Sequence, residues 1–214
     1  MRRLVATEFL GTYFLIFACS GAVVVDNLTH SLTPVGMAGV SGLVVMTLIY
    51  ALRHLSGAHF NPLVSLAFWL LGILPARLTL SYIVAQLLGG LAASATVWLL
   101  FGQVAHLGAT IPIGPWHQTF CLEFLFTFWL LLVILGSSVH GQATKSFAGL
   151  AVGGMVALAS LICGPLTGAS LNPVRTLAPA LLSGQGDALW IYMAAPSCGA
   201  LAATLLYRYL YHGE

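Results

Sequence analysis

Charge is what this sequence has least of. Only 6% of its 214 residues are Asp, Glu, Lys or Arg while 59% are hydrophobic, and a chain so composed cannot cover a water-soluble globule with a solvated surface. The seven basic residues are scattered, with no arginine-rich or aromatic patch beside them, which excludes a nucleic-acid partner. The five carboxylates form no acidic run, and no Ser, His and acid set or metal cluster falls at a usable spacing on one side. An enzyme is therefore excluded, and no metal or cofactor is expected. Cys19, Cys121, Cys163 and Cys198 each sit in an apolar segment without metal-ligand spacing and read as packing residues. Missing too is the short basic region, brief apolar stretch and small-residue cleavage site of a secretory signal; the apolar run from Leu4 to Val25 is long enough to stay in a bilayer.

What is present is apolar length. Runs at about 4–25, 35–52, 79–101, 118–138, 147–163 and 189–211 each suffice, or nearly so, to cross a hydrocarbon core of ~30 Å as a helix. The lipid bilayer is the first expected partner. Six crossings place both termini on one side, and Arg2, Arg3, Arg53, Arg77, Lys145 and Arg208 all fall on that side, which the positive-inside rule makes the cytoplasm. Asp26 and Asp187 fall opposite. Arg175 breaks the pattern, because it lies inside an apolar run rather than in a solvated loop.

Two further stretches, Asn61 to Gly72 and Asn172 to Ser183, are about 12 residues long, or ~18 Å as helix, half a bilayer at most. Each opens on the same signal, Gly-Ala-His-Phe-Asn-Pro at 57–62 and Gly-Ala-Ser-Leu-Asn-Pro at 168–173, in which Asn caps and Pro occupies the first helical position. They belong to an internal repeat. Glu8-Phe9-Leu10 with Thr12 recurs as Glu123-Phe124-Leu125 with Thr127, and Asn61-Pro62 recurs as Asn172-Pro173. Tyr82, Gly89 and Leu91-Ala92-Ala93 recur as Tyr192, Gly199 and Leu201-Ala202-Ala203, so the offsets are 115, 111 and 110 residues. One repeat holds three spans and a half-helix, and an odd number of spans turns the second copy upside down.

The fold class this predicts is all-α and transmembrane: six spanning helices plus two re-entrant half-helices in two inverted repeats, about 1–105 and 115–214, forming a single domain. Half-helices entering from opposite faces meet N-terminus to N-terminus near the midplane, where interrupted backbone is tolerated only if it lines a cavity. Two such N-termini, each worth roughly half a positive charge, oppose cations and protons there. The Asn61 and Asn172 amides offer donors to a solute oxygen, while anions would have to shed water into apolar walls. Small uncharged hydroxylated solutes and water are the partners this predicts.

The constellation resembles the aquaporin, or major intrinsic protein, family along the whole chain. The stretch Gly42-Leu43-Val44-Val45-Met46 to Ile49-Tyr50-Ala51, with Ser56 to Pro62, is similar to the nodulin-26-like branch and its bacterial relatives, as are Ala6 to Val25 and Ser170-Leu171-Asn172. The resemblance implies the aquaporin-like fold, a homotetramer with one pore per subunit, and a narrow outer filter. Counting from the Asn-Pro pairs puts that filter at Ser41, Ser160, Ala169 and Arg175. Water-selective members carry Phe and His at the first two positions; two small hydroxylated residues imply a wider, polar neck that admits glycerol or boric, silicic and arsenous acids. A mainly water-selective channel is the alternative. Gly57, Ala58, His59, Phe60, Gly168, Ser170 and Leu171 are expected to supply pore-loop backbone. Leu63 and Val174 replace the alanines of the two boxes and are expected at the pore midplane, affecting its width. Thr176 stands where glycerol-specific members have Asp, and Tyr192-Met193 where water channels often have an aromatic pair.

Other residues have plainer expected roles. Glu8 and Glu123 lie in spans on the sides from which the two loops enter, and are expected to accept loop N–H bonds as scaffold rather than relay protons. His59 is expected to be satisfied by backbone, and His140 and Lys145 to be solvated loop charges. Gly89-Gly90 and Gly153-Gly154 are expected at close helix crossings. Asn27-Leu28-Thr29 matches a glycosylation acceptor only weakly. A secondary transporter would need a coupling-ion carboxylate at the midplane, which the sequence does not offer; a pore-closed structural protein is the other rival, with Leu63 as the plug. The expected location is the inner membrane of a bacterium, the short tails being the reason, with both termini cytoplasmic.

Overall fold

The computed structural model describes residues 1–211. In chain order the helices are α1 (Arg2–Thr29), α2 (Thr33–Ser56), α3 (Pro62–Leu70), α4 (Ala76–Phe101), α5 (Trp116–Ile134), α6 (Ala148–Thr167), α7 (Pro173–Ser183) and α8 (Leu189–Leu210). All but α3 and α7 have the length and apolarity of a membrane span, with α5 prolonged by a π-turn at Leu135–Val139. At 1.5 Å per residue the nine residues of α3 reach only ~14 Å and the eleven of α7 ~17 Å. Both are half-helices.

Large apolar side chains point outward on the spans, among them Phe14, Leu80, Leu88, Leu125, Leu201 and Leu205. Such a surface is an aggregation hazard in water and the required one in lipid. The interior is built instead from small residues that let backbones approach. A Cβ at Gly89 would collide with the Phe9 carbonyl of α1, and one at Gly199 with the Phe124 carbonyl of α5. These are repeat mates: the α1–α4 and α5–α8 crossings are the same joint built twice. The pair α2 and α6 is closed by Gly42 against Gly153, where an added Cβ would lie 2.6 Å from the opposite carbonyl oxygen. Gly90 receives the Val174 side chain of α7, whereas Gly154 meets nothing within 4 Å and is not at a crossing as the sequence had implied.

Connections fix the topology. Asp26 Oδ1 accepts the Leu32 and Thr33 N–H groups, both at 2.9 Å, and so pins the short α1–α2 turn. Asn27-Leu28-Thr29 forms the last turn of α1, with the Thr29 hydroxyl donating to the Val25 carbonyl at 2.7 Å. On the opposite face, Arg53 Nη1 donates to the Lys145 carbonyl at 2.9 Å and Nη2 to that of Ser138 at 3.2 Å, tying α2 to the α5–α6 connection. Lys145 is exposed, but His140 is half-buried with its ring 4.4 Å from Tyr211, so only the first is a plain solvated loop charge.

Candidate functional site

The two half-helices start in the same way for the same reason. Asn61 Oδ1 accepts the Leu63 N–H at 2.9 Å and Asn172 Oδ1 the Val174 N–H at 3.0 Å, which satisfies one of the donors every helix start leaves open. Proline follows each Asn and brings a φ already suited to the first turn. The asparagines then reach across: Asn61 Nδ2 donates to the Leu171 carbonyl and Asn172 Nδ2 to the Phe60 carbonyl, both at 2.9 Å. The helices are thus stitched head to head, and each amide keeps a second N–H for the cavity that both residues line.

The backbone leading into each cap is strained. Gly57, Ala58 and Phe60 have φ of 92°, 57° and 49°, and Gly168, Ala169 and Leu171 have 79°, 46° and 51°. A left-handed non-glycine residue costs roughly 1–3 kcal/mol and persists only where its surroundings hold it. The surroundings are two buried carboxylates. Glu8 accepts from His59 N at 3.0 Å, Phe60 N at 2.7 Å, the Ser56 hydroxyl at 2.6 Å and Gln86 Nε2 at 2.8 Å. Glu123 accepts from Ser170 N and Leu171 N, both at 2.9 Å, and from the Thr167 hydroxyl at 2.7 Å. At 0% and 1% exposure neither faces the cavity. A carboxylate so engaged is spent on geometry, which leaves no ground for a midplane coupling-ion site.

A tyrosine completes each brace: Tyr82 OH donates to the Ser56 carbonyl at 2.8 Å and Tyr192 OH to that of Thr167 at 2.6 Å, the residues just before the two loops. His59 is not satisfied by backbone. Its Nδ1 pairs with the Ser65 hydroxyl at 3.1 Å, and its ring packs on Phe68 and Tyr82. In the loop before α7 Thr176 donates to the Ser170 hydroxyl, which donates to the Asn172 carbonyl, and Thr110 pairs with Thr176 at 2.6 Å. Thr176 therefore braces the loop rather than facing solute.

A continuous cavity runs beside both asparagines, bordered toward one mouth by Ser41, Ser160, Ala169 and Arg175 and toward the other by Ile49, Arg53 and Ser138. Gly57, Ala58, His59, Phe60, Gly168, Ser170 and Leu171 also line it. Arg175 Nη1 donates to the Gly108 carbonyl at 2.7 Å, which aims an otherwise buried guanidinium at the path. Gly108 reaches it because its chain is pressed on α1, where a Cβ would fall 2.6 Å from Ser20 Cα. Ser41 spends its proton on the Met37 carbonyl at 3.0 Å and so offers lone pairs, while Arg175 offers donors. A group that both donates and accepts fits between them.

The structure also corrects the expectation for the residues that follow the two Asn-Pro pairs. Leu63 and Val174 do not border the cavity: Leu63 packs with Leu131, Ala200 and Ala203, and Val174 with Ile16, Ala93 and Ala178. The added carbon beyond alanine is taken up behind the half-helices, so it fills a joint between helices and plugs nothing. Sequence reading also missed Gly108, Arg53, the tyrosine pair as braces, and Cys19, which lines the cavity from α1. The tyrosines had appeared through the repeat and Arg53 only as a charge on one side, while Cys19, expected as a packing residue, is corrected to a residue of the cavity wall.

A profile of the family described as Major intrinsic protein matches residues 1–207. The chain belongs to the major intrinsic protein family. Among its relatives in that family is nodulin-26 of Glycine max, 44% identical over 210 residues, covering 97% of this chain and 77% of the relative. Aquaporin NIP1-1 of Zea mays is 43% identical over 206 residues, covering 95% and 73%. The X-ray structure of the aquaglyceroporin from Plasmodium falciparum superposes with a TM-score of 0.83 at 28% identity, covering 96% of this chain and 95% of that one. Membership and six apolar helices make the chain an integral membrane protein. These relatives give the expected bacterial membrane no support.

Proposed function

We propose that this protein is a passive channel for water and small uncharged solutes, glycerol and metalloid acids among them, that excludes ions and protons. The observation that carries it is the head-to-head pair of half-helices, cross-linked through Asn61 and Asn172 beside a continuous cavity. Two positive helix ends facing one another oppose any cation at mid-bilayer, and among the described residues no carboxylate borders the cavity to offset them. An anion must exchange its hydration for walls such as Val45, Ile49 and Val152. A hydroxylated neutral molecule meets donors from Arg175 and the asparagines and acceptors from Ser41. The relatives named aquaporin and the structure named aquaglyceroporin support the same reading.

The filter formed by Ser41, Ser160, Ala169 and Arg175 favours solutes larger than water, since neither bulky position carries a ring. We take the functional unit to be a homotetramer and both termini to face the cytoplasm; family membership and the distribution of basic residues support this. Stopped-flow swelling of proteoliposomes under water, glycerol, boric acid and arsenous acid gradients tests the reading. Fast swelling without dependence on an ion gradient is expected; saturable, ion-coupled uptake would make it a transporter, and no flux of any kind a closed scaffold.

A further inference from the structure

Between the central cavity and the outer vestibule lies a neck whose residues border both: Cys19, Ser41, Ser160, Gly168 and Arg175. Cys19 is the unexpected member. It comes from α1, whereas the filter positions reached by counting from the Asn-Pro pairs lie on α2, α6 and the loop before α7 or on α7 itself. Its Sγ lies 3.7 Å from Ser41 Oγ, so the thiol donates to the hydroxyl whose own proton is held by the Met37 carbonyl. A second observation marks the neck as a place for a ligand. Arg175 is 6% exposed, yet beyond the bond to Gly108 its guanidinium meets no acceptor among the described residues. Nε and Nη2 therefore have donors left for whatever passes.

Resting on the channel reading above, we propose that Cys19 is a further specificity-determining residue of the outer neck: its side-chain volume sets the aperture beside Arg175, and its thiol stands on the solute path. The other cysteines do not share that position. Cys163 is buried in the α6 cluster, and Cys121 and Cys198 are exposed on α5 and α8, away from both cavities. A small neutral reagent that can follow the solute should reach Cys19. With methyl methanethiosulfonate the Cys19 thiolate attacks the sulfenyl sulfur and a Cys–S–S–CH3 bond forms. The bond from sulfur to the sulfonyl group breaks, methanesulfinate leaves with the electron pair, and the thiol proton goes to water. The neck gains a methylthio group.

The experiment uses the full chain in proteoliposomes. Methyl methanethiosulfonate should slow glycerol swelling of the wild type by about fivefold or more, with dithiothreitol restoring it, because one added methylthio group is large against a single-file neck. Cys19→Ser, whatever its own rate, should be insensitive although the other cysteines remain. Cys19→Phe should reduce glycerol flux by roughly tenfold and water flux less. The proposal is overturned if the reagent slows Cys19→Ser equally, if Cys19 stays unlabelled by mass spectrometry, or if labelling leaves flux unchanged. It is overturned also if Cys19→Phe passes glycerol as the wild type does while Ser41→Phe does not. A misfolded Cys19→Phe leaves the wild-type reagent arm to decide. Failure of the channel reading looks different: untreated wild type would pass neither water nor glycerol.

Discussion

The inner and outer re-entrant loops are the same device carrying different cargo. Residues at an offset of 111 correspond, and the scaffold positions match in kind: Ser56 and Thr167 feed the carboxylate, Gly57 and Gly168 open the turn, and Asn61 and Asn172 cap the half-helix. Where the copies part company, function enters. The mate of Arg175 is Val64, so only the outer loop bears a charge; the mate of Ser170 is His59, so only the inner loop bears a ring. At the inner mouth the guanidinium comes instead from Arg53 at the end of α2, held by two carbonyls of the α5–α6 connection. The comparison separates what the half-helix pair needs in order to stand from what each mouth needs in order to select.

The largest break should come from the scaffold. Glu8→Ala strips partners from two buried loop N–H groups and from Ser56 and Gln86; Glu123→Ala strips two N–H groups and Thr167. Each orphaned buried donor costs about 1–3 kcal/mol, enough to release residues held in the left-handed region. Both variants should lose glycerol and water flux together and fall sharply in thermal midpoint in detergent, with Glu8→Ala the worse. A Glu123→Ala protein that still conducts would show that the two loops are not held alike.

A smaller and more selective effect belongs to the outer mouth. Ser41→Phe with Ser160→His should cut glycerol flux by about tenfold or more and leave water within roughly threefold, since the added rings narrow the neck without touching the caps. Equal flux of glycerol in the variant and wild type would mean the neck lies elsewhere. Leu63→Ala and Val174→Ala then probe the joint behind the half-helices. Losing a buried leucine costs about 2–5 kcal/mol in soluble proteins, so Leu63→Ala should lower the thermal midpoint, and Val174→Ala should do so less. Neither should raise solute flux; a marked rise after Leu63→Ala would restore that residue to the path.

Much of this was legible from residues alone, and the boundary is instructive. The six spans follow from apolar length and the inverted half-helices from the repeated Asn-Pro starts. The roles of Glu8 and Glu123 follow from which face each loop must enter, and the structure places their hydrogen bonds there. What could not be read was direction. Sequence puts Leu63 two residues past a cap but does not say that its side chain turns toward α5 and α8. It puts Cys19 on α1 without saying which wall of the helix meets the cavity, because a span that is apolar all round carries little periodic signal. Gly108 was invisible for a related reason: its worth lies in a contact with Ser20, 88 residues away.

The finest test of the comparison is Gln86. Its Nε2 donates to Glu8 Oε2 at 2.8 Å and to the Ser65 hydroxyl at 3.0 Å, yet its own Oε1 is buried without a partner among the described residues. At an offset of 110 its mate is Pro196, which can offer Glu123 no side-chain donor, and the outer loop keeps its left-handed backbone regardless. Three donors therefore suffice to hold such a loop, and the fourth at Glu8 is a refinement. Gln86→Leu should remove the charged hydrogen bond to Glu8, the weaker one to Ser65 and one unsatisfied oxygen together, for a net loss of about 1 kcal/mol. That corresponds to a midpoint lower by a few degrees, roughly 2–4 °C on the scale of soluble proteins of this size. A collapse as deep as that of Glu8→Ala would mean that the inner loop, with its histidine ring to accommodate, needs a donor the outer loop does without.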